Sequence, residues 1–293
     1  MATRKSTAAP RTESRIDVRK TYKLYIDGKF PRTESGRLMP VRNKKGEILA
    51  NVCKASKKDL RDSVVSNRKA QEAWAARSAY NKGQILYRIA ETLESRRAQF
   101  EQQLVNQGLA QASAISEVSA AIDLLVYYAG WTDKYIQVFS SVNPVESAHF
   151  NFSFPEPVGI AVVIAPHAPG LLGLVALTAP LVAGGNTCTV LTSEHFPLTA
   201  IDFAEVLAAS DVPAGVINVL TGKRDDSLAT AGSHMDINAI AHVDLSADQR
   251  KALELQAAGN VKRMIDFNGG ELLSPYAILQ AQEIKTTWHP VSF

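Results

Sequence analysis

The chain has 293 residues, enough for one large domain or two small ones, and its 46% hydrophobic and 21% charged residues are typical of a globular protein. A net charge of +3 gives no reason to expect nucleic acid or an anionic membrane as a partner. The two cysteines, Cys53 and Cys188, have no metal-ligand spacing and exclude a disulfide framework, which favours a reducing, cytoplasmic compartment.

Neither a membrane span nor a targeting segment is expected. The most apolar stretch, residues 158–181, contains three prolines, which a lipid-spanning helix would not tolerate. Residues 1–20 are rich in Arg, Lys, Ser and Thr and are expected to form a disordered tail. A transit peptide is the alternative, and Glu13 and Asp17 count against it.

The first half of the chain reads as two short strands followed by helices. Residues 22–30 alternate in polarity around an Asp27-Gly28 turn signal, and Ile48–Cys53 is the next strand. Apolar residues at helical spacing then predict three helices: 59–77 with Asp59 as its cap, one from about residue 81, and 115–139.

From residue 152 onward, β-branched runs alternate with helical segments. The predicted strands are 158–165, Thr187–Leu191, 216–220 and 237–242. The predicted helices between the first three strands are Leu171–Ala183 and 197–209. This alternation indicates βαβ units, and therefore a doubly wound parallel sheet with flanking helices, an α/β fold.

Residues 156–164 (EPVGIAVVI) resemble the strand that opens the cofactor domain of aldehyde dehydrogenases. LYIDGKF, ILYRIAETLESR, PLVAGGNTCTVLTSE, VPAGVINVLTG and DINAIAHVD continue the resemblance in the order of that superfamily, over about residues 22–266. The chain looks most like the second half of the double-length family 16 members. The resemblance implies a Rossmann-like domain at 21–267 with an oligomerisation β-hairpin at about 135–157, and a C-terminal oligomerisation tail at 268–293.

The resemblance fails at the residues that hold the cofactor in the family. Leu191 stands where a lysine contacts the adenosine ribose, although the accompanying Glu194 is kept. Arg224 and Leu228 replace small residues of a Gly-x-Gly-x-x-x-Gly motif, and bulky side chains there block the close approach of a ligand. Asp244 stands where the backbone meets the pyrophosphate, which a carboxylate would repel. These replacements imply that NAD does not bind and that no cofactor is used.

The catalytic residues of the family are also missing from the matched positions. Ala168 replaces the asparagine that helps to hold the oxyanion, a contribution of roughly 3 kcal/mol. Cys188 lies in the middle of a strand and is interpreted as a core residue rather than a nucleophile. The six histidines lack metal-ligand spacing, and His167, at a former active-site position, is interpreted as structural. No catalytic, cofactor-binding or metal residue is predicted.

The C-terminal sequence resembles parts of the family that are distant in a full-length member. Residues 260–266 resemble the strand before the general-base motif, and 268–271 could be a degenerate form of that motif. Residues 284–288 resemble a strand of the oligomerisation tail, with an ordinary edge strand as the alternative. The resemblance therefore implies a truncated, catalytically dead member in which the thiolate domain is missing.

These observations predict a non-catalytic pseudoenzyme subunit. Its expected partner is a full-length active aldehyde dehydrogenase, in a hetero-oligomer, or a second copy of itself. Two alternatives remain open: an oxidoreductase with altered chemistry, and a small-ligand sensor that uses the vestigial cofactor cleft. The sequence does not identify the pathway, the aldehyde or the stoichiometry.

Overall fold

The computed structural model describes residues 20–267 and 273–291. In these residues the strands are β1 (Thr21–Tyr22), β2 (Leu38–Arg42), β3 (Ile48–Cys53), β4 (Ser141–Asn143), β5 (His149–Pro157), β6 (Ile160–Ile164), β7 (Thr187–Leu191), β8 (Ile217–Leu220), β9 (Ala239–His242), β10 (Arg263–Asp266) and β11 (Gln282–Pro290). The helices are α1 (Lys57–Ala75), α2 (Ala79–Ser95), α3 (Arg97–Asn106), α4 (Gln111–Trp131), α5 (Tyr135–Phe139), α6 (Leu171–Ala183), α7 (Pro197–Ala208), α8 (Arg224–Ser233), α9 (Ala247–Ala257) and α10 (Tyr276–Leu279).

The central sheet confirms the predicted parallel architecture. Its five strands run in the order β10-β9-β6-β7-β8, and every pairing is parallel. All residues of β6 and β7 are buried, as expected for strands covered by helices on both faces. The order reverses at β6, which has β7 on one side and β9 on the other.

The amino-terminal segment closes one edge of this sheet. Tyr25 and Val219 of β8 exchange two backbone hydrogen bonds of 2.9 and 2.8 Å. The predicted turn follows, with Asp27 at φ 54° and Gly28 at φ 69°, a left-handed conformation that glycine adopts without strain. Edge strand β8 is therefore covered by the start of the chain.

The helix boundaries in the first half of the chain correct two predictions, and one helix there was not predicted. Ser56 caps α1, because its hydroxyl accepts from the Asp59 amide at 3.2 Å, and the Asp59 carboxylate accepts from the Ser56 amide at 2.7 Å. The helix predicted at 115–139 is two helices, and the Thr132 hydroxyl donates to the Ala129 carbonyl where α4 ends. Helix α3 was not predicted, since Phe100 and Leu104 are its only fully buried residues.

Helix α4 is long and apolar enough to cross a membrane by length and composition alone. Its residues Val118, Ile122 and Leu125 are buried in the main hydrophobic core. It packs against α2, α3 and α6. A core helix of this kind passes the same test of length and composition.

A separate three-stranded sheet has the order β11-β5-β4 and is antiparallel throughout. Of the segments predicted for oligomerisation, residues 141–157 contribute β4 and β5 and the C-terminal segment forms β11, but Tyr135–Phe139, predicted as part of the hairpin, is helix α5. The structure shows, however, that β11 pairs along all nine residues with β5 of its own chain. The opposite edge of β11 carries no strand among the described residues.

Two predictions concern segments that are largely or wholly undescribed. The predicted tail at 1–20 lies outside the described residues except for Lys20, which forms ion pairs with Asp202 at 3.2 Å and Glu205 at 2.6 Å. Lys20 is thus placed by specific contacts and does not belong to a disordered tail. The degenerate general-base motif at 268–271 lies outside the described residues.

Candidate functional site

The carboxyl ends of β6, β7, β8 and β9 form the candidate site. In doubly wound sheets a ligand binds in the crevice outside these ends, at the point where the strand order reverses. Here that point lies between β6 and β9. The loop after β6 carries His167 and Ala168, and the loop after β9 carries Asp244. Three residues singled out in the sequence therefore meet at one crevice.

Arg224, the first residue of α8, spans this crevice. Its side chain is only 4% exposed. Nη1 donates to the carbonyl of Ala165 and to Oδ1 of Asp244, both at 2.7 Å, and Nη2 donates to Nε2 of His167 at 2.6 Å. We refer to Arg224, Asp244, His167 and the Ala165 carbonyl as the Arg224 cluster. The cluster joins the carboxyl ends of β6 and β9 through a side chain of the protein itself.

The hydrogen bonds fix the protonation states in the Arg224 cluster. A guanidinium only donates, so Nε2 of His167 accepts and the imidazole is neutral. Burial, together with the Arg224 charge, lowers the pKa of His167. Burial alone would raise the pKa of Asp244, but hydrogen bonds from the His167 amide and the Arg224 guanidinium outweigh it and lower that pKa. The cluster thus contains one stable ion pair and a neutral histidine.

These contacts refine two sequence-based interpretations. Arg224 was interpreted as a bulky obstacle and Asp244 as a charge that repels phosphate, as if the two acted separately. In the structure they form a salt bridge, so the cationic and anionic groups satisfy each other. His167 contributes an acceptor to this pair and stacks on His195 with ring centroids 4.6 Å apart.

The helix ends that face the crevice already bind carboxylates. Glu117 Oε1 accepts from the amides of Leu171 and Leu172 at the start of α6, at 2.6 and 3.2 Å. Glu194 Oε1 accepts from the Arg224 amide at the start of α8, at 3.2 Å. Helix α9 begins with a capping box formed by its own side chains. A phosphate group would have to displace these internal acceptors, because it would use the same amides.

Little free space remains between β7 and β8. The cavity at their carboxyl ends has a volume of about 10 Å³ and is lined by Leu191, Leu220 and Arg224 among others. That is room for at most one water molecule, whereas pockets for small molecules span roughly 300–1,000 Å³. Leu191 is 3% exposed and Leu228 is 9% exposed, so both have become core residues. The residues present do not fit a dinucleotide.

The cysteines do not contribute to the site. Cys53 and Cys188 are both free and both 0% exposed. Burial raises the pKa of Cys188 to about 12, so the thiol stays protonated and is a poor nucleophile. The interpretation of Cys188 as a core residue is confirmed. Over residues 20–267 and 273–291 no group of three or more His, Cys, Asp or Glu side chains is placed to hold a metal ion.

One contact of the site could not be inferred from the motifs. Glu117 lies on α4, 54 residues before Leu171, in a helix that otherwise reads as an apolar core element. Its side chain is buried, and burial raises its pKa even though the helix amides stabilise the charged form. The only signal was a carboxylate in a largely apolar stretch, one of two on α4, because charged residues are rarely buried without a partner.

Lowering the pH should destabilise the protein through two histidines, His242, which is buried, and His167, which is half-buried. The pKa of His167 and of His242 is lowered in the folded chain, by burial first in both cases. Their stabilising contribution is therefore complete above the unfolded pKa of about 6.5 and is lost as the pH falls toward the folded values. We expect the melting temperature to fall between pH 7.5 and pH 5, as measured by scanning calorimetry.

The matched variant for this test is His167→Gln, whose amide oxygen can accept from Arg224 but does not titrate. Carboxyl groups such as Glu117 change the stability of both proteins with pH by the same amount, so their effect cancels in the comparison. The variant should lose less stability than the wild type over the same range. If the melting temperatures of the two proteins fall by the same amount over this pH range, His167 does not contribute to the pH dependence of stability.

The fold and the site define a doubly wound α/β domain in which the Arg224 cluster bridges the carboxyl ends of β6 and β9. Residues 31–287 match the family model described as "Aldehyde dehydrogenase family". The chain belongs to this family, as the sequence resemblance predicted. The resemblance to family 16 in particular stays a prediction.

Individual relatives support this assignment. The protein named "Putative aldehyde dehydrogenase DhaS" from Bacillus subtilis (strain 168) is 31% identical over 271 residues, which cover 90% of this chain and 53% of the relative. Aldehyde dehydrogenase, cytosolic 1, of Elephantulus edwardii is 29% identical, covering 83% and 49%. The NAD+ complex structure of aldehyde dehydrogenase from Bacillus cereus superposes with a TM-score of 0.81 at 26% identity, covering 86% and 51%. The chain spans about half the length of these relatives.

Proposed function

We propose that this chain is a non-catalytic member of the aldehyde dehydrogenase family that serves as a structural or regulatory subunit. Its partner is an active NAD-dependent aldehyde dehydrogenase or a second copy of itself, and its compartment is the cytoplasm. The Arg224 cluster is the observation that carries this proposal. It places an internal ion pair across the crevice between β6 and β9, where the family resemblance places the cofactor.

The exposed apolar surface of the three-stranded sheet supports a role in assembly. Phe150, Phe152 and Phe154 project from one face of β5, with neighbouring ring centroids 5.4 and 5.8 Å apart. On the other face, Ile284 and Trp288 are 53% and 57% exposed. Contiguous apolar surface of this kind marks interaction sites in monomeric folds. Both faces of one small sheet therefore offer contacts to another subunit.

The two alternative functions receive less support. A small-ligand sensor would need a cleft, and the cavity at the carboxyl ends of β7 and β8 holds only about 10 Å³. An oxidoreductase with altered chemistry would need an accessible nucleophile or a cofactor. Cys188 is buried, with a pKa of about 12, and the Arg224 cluster occupies the crevice. Neither alternative explains the row of aromatic residues on β5, of which Phe150 is exposed and Phe152 and Phe154 are half-buried.

The proposal is tested first by ligand binding. We expect no heat of binding when NAD is titrated calorimetrically into the purified chain at concentrations that would reveal a dissociation constant below roughly 100 μM. An intact aldehyde dehydrogenase titrated in parallel serves as the positive control. The chain should also fail to oxidise aldehydes with NAD or NADP.

Assembly is tested by light scattering and by co-elution with a co-expressed active aldehyde dehydrogenase. We expect the chain to form an oligomer in at least one of these settings. One-to-one binding of NAD below the stated limit, or aldehyde turnover that Cys188→Ala removes, would disprove the non-catalytic assignment. A protein that is monomeric in both settings would disprove the subunit role.

A further inference from the structure

The open edge of β11 has a pattern that matches itself. We propose that β11 pairs antiparallel with β11 of a second copy, with the two-fold axis at Thr286, so that two three-stranded sheets become one sheet of six. This inference rests on the proposed role in assembly and names the partner of that edge. Nearly all of β11 is available for it, because residues Glu283 to Pro290 are all exposed.

The backbone hydrogen bonds show which groups of β11 face outward. The amide of Val291 donates to Ala148, and the carbonyl of Ala281 accepts from Val158, at 2.9 and 3.2 Å. In an antiparallel pair, alternate residues direct both backbone groups to the same neighbour. The odd-numbered residues therefore bond to β5. The even-numbered residues, including Ile284, Thr286 and Trp288, direct their N–H and C=O groups to the open edge.

The axis at Thr286 gives complementary side-chain pairs along the whole strand. All nine residues overlap, since β11 extends four residues on each side of Thr286. Ile284 lies opposite Trp288 of the second copy, and Glu283 lies opposite its His289. Thr286 lies opposite itself. Each pair is of a kind that stabilises antiparallel sheets by about 0.2–1 kcal/mol. The first joins an aromatic and a β-branched side chain, the second a hydrogen-bond acceptor and a donor, and the third two threonines.

The ends of the strand fit the same register. Pro290 has no N–H, so the carbonyl opposite it across the interface receives no hydrogen bond there. In this register that carbonyl belongs to Gln282, and Gln282 already accepts a hydrogen bond from the Arg263 guanidinium of its own chain. The one outward carbonyl that the second copy cannot satisfy is thus satisfied internally.

Moving the axis by one residue loses these features. An axis at Lys285 shortens the overlap to seven residues, places Ile284 opposite Thr286, and sets Trp288 against Gln282. Lysine on an edge strand often discourages pairing between molecules. Here Lys285 forms an ion pair with Glu283 of its own strand, so its charge is neutralised before association.

Single-cysteine variants test the register. Thr286→Cys should be cross-linked between copies by a short bifunctional thiol reagent, because residues on the axis lie opposite each other with Cβ atoms about 4.5–5.5 Å apart, a little wider than the roughly 3.5–4.5 Å of a disulfide. Glu283→Cys should not, because its two copies lie roughly 20 Å apart along the strands. The double variant Glu283→Cys/His289→Cys should cross-link again. The products are read by non-reducing electrophoresis. The wild type is the blank, because Cys53 and Cys188 are fully buried.

The outcomes separate this inference from the proposed function. Circular dichroism first establishes that each variant is folded. Cross-linking of Thr286→Cys and of the double variant, but not of Glu283→Cys, supports the register. A folded Thr286→Cys protein that does not cross-link, or equal cross-linking of Glu283→Cys, overturns it. Failure of the proposed function would appear elsewhere, as NAD binding or aldehyde oxidation by the uncross-linked wild type.

Discussion

Replacing Arg224 with alanine should lower the free energy of unfolding by about 2–3 kcal/mol. Removing one partner of a buried ion pair typically costs 3–5 kcal/mol, and the lower value applies here because the Asp244 side chain is 31% exposed. The variant also leaves the Ala165 carbonyl and His167 without their donor. Urea unfolding followed by circular dichroism measures the change.

A second arginine provides the matched control. Arg250 also pairs with two carboxylates, Glu254 and Asp266, but its side chain is 49% exposed. Arg250→Ala should therefore cost no more than about 1 kcal/mol, as surface ion pairs do. Arg224→Lys should recover only part of the loss, because a single ammonium cannot reproduce a planar fork of donors. Equal losses for Arg224→Ala and Arg250→Ala would contradict the central role of the Arg224 cluster.

Thr286→Pro should convert the protein from an associated form to a monomer without unfolding it. Proline removes the amide of residue 286, which the register assigns to the open edge, so the pairing with β5 keeps its own hydrogen bonds. Light scattering should show the mass of a single chain of 31.8 kDa. Circular dichroism should match that of the wild type.

Thr287→Pro is the control variant, with the proline placed one residue further along β11. Its amide faces β5, so the substitution removes a hydrogen bond within the chain and should lower stability by about 1 kcal/mol or more. This pair of variants is sharper than deletion of residues 283–293, which would also uncover β5. If Thr286→Pro associates as the wild type does, the open edge of β11 is not the interface.

The strands and helices that the sequence predicted best are those with uniform composition and clear ends. Strand β7 and helix α6 have the predicted bounds, because a β-branched run and an apolar helix meet at Gly184 and Gly185. Helices α8 and α9 were not predicted. Only Leu253 and Ala257 are buried on α9, and the buried residues of α8 are mostly polar or small, with Leu228 as the one large apolar residue. Local patterns are strong where burial is extensive and weak where a helix is mostly exposed.

The candidate site shows the limit of prediction more clearly. The family resemblance identified Arg224, Asp244 and His167 as departures, each at the correct position. It did not show that they bind one another, since Arg224 is 57 residues from His167 and 20 from Asp244 in the chain. Side chains brought together by strand order have no common local signal. The pairing of β11 with β5 was missed for the same reason, because it joins residues that lie far apart in the sequence.

The contact between Tyr25 and Val219 has a consequence for the timing of folding during synthesis. Val219 follows Tyr25 by 194 residues, yet each supplies the other's backbone hydrogen bond at the edge of the central sheet. At a synthesis rate of roughly 5–20 residues per second, the amino-terminal segment waits about 10–40 s before its partner strand exists. During that interval its apolar residues Leu24 and Tyr25, which are fully buried at the end, are exposed. The amino-terminal segment therefore cannot reach its folded position before β8 has been synthesised.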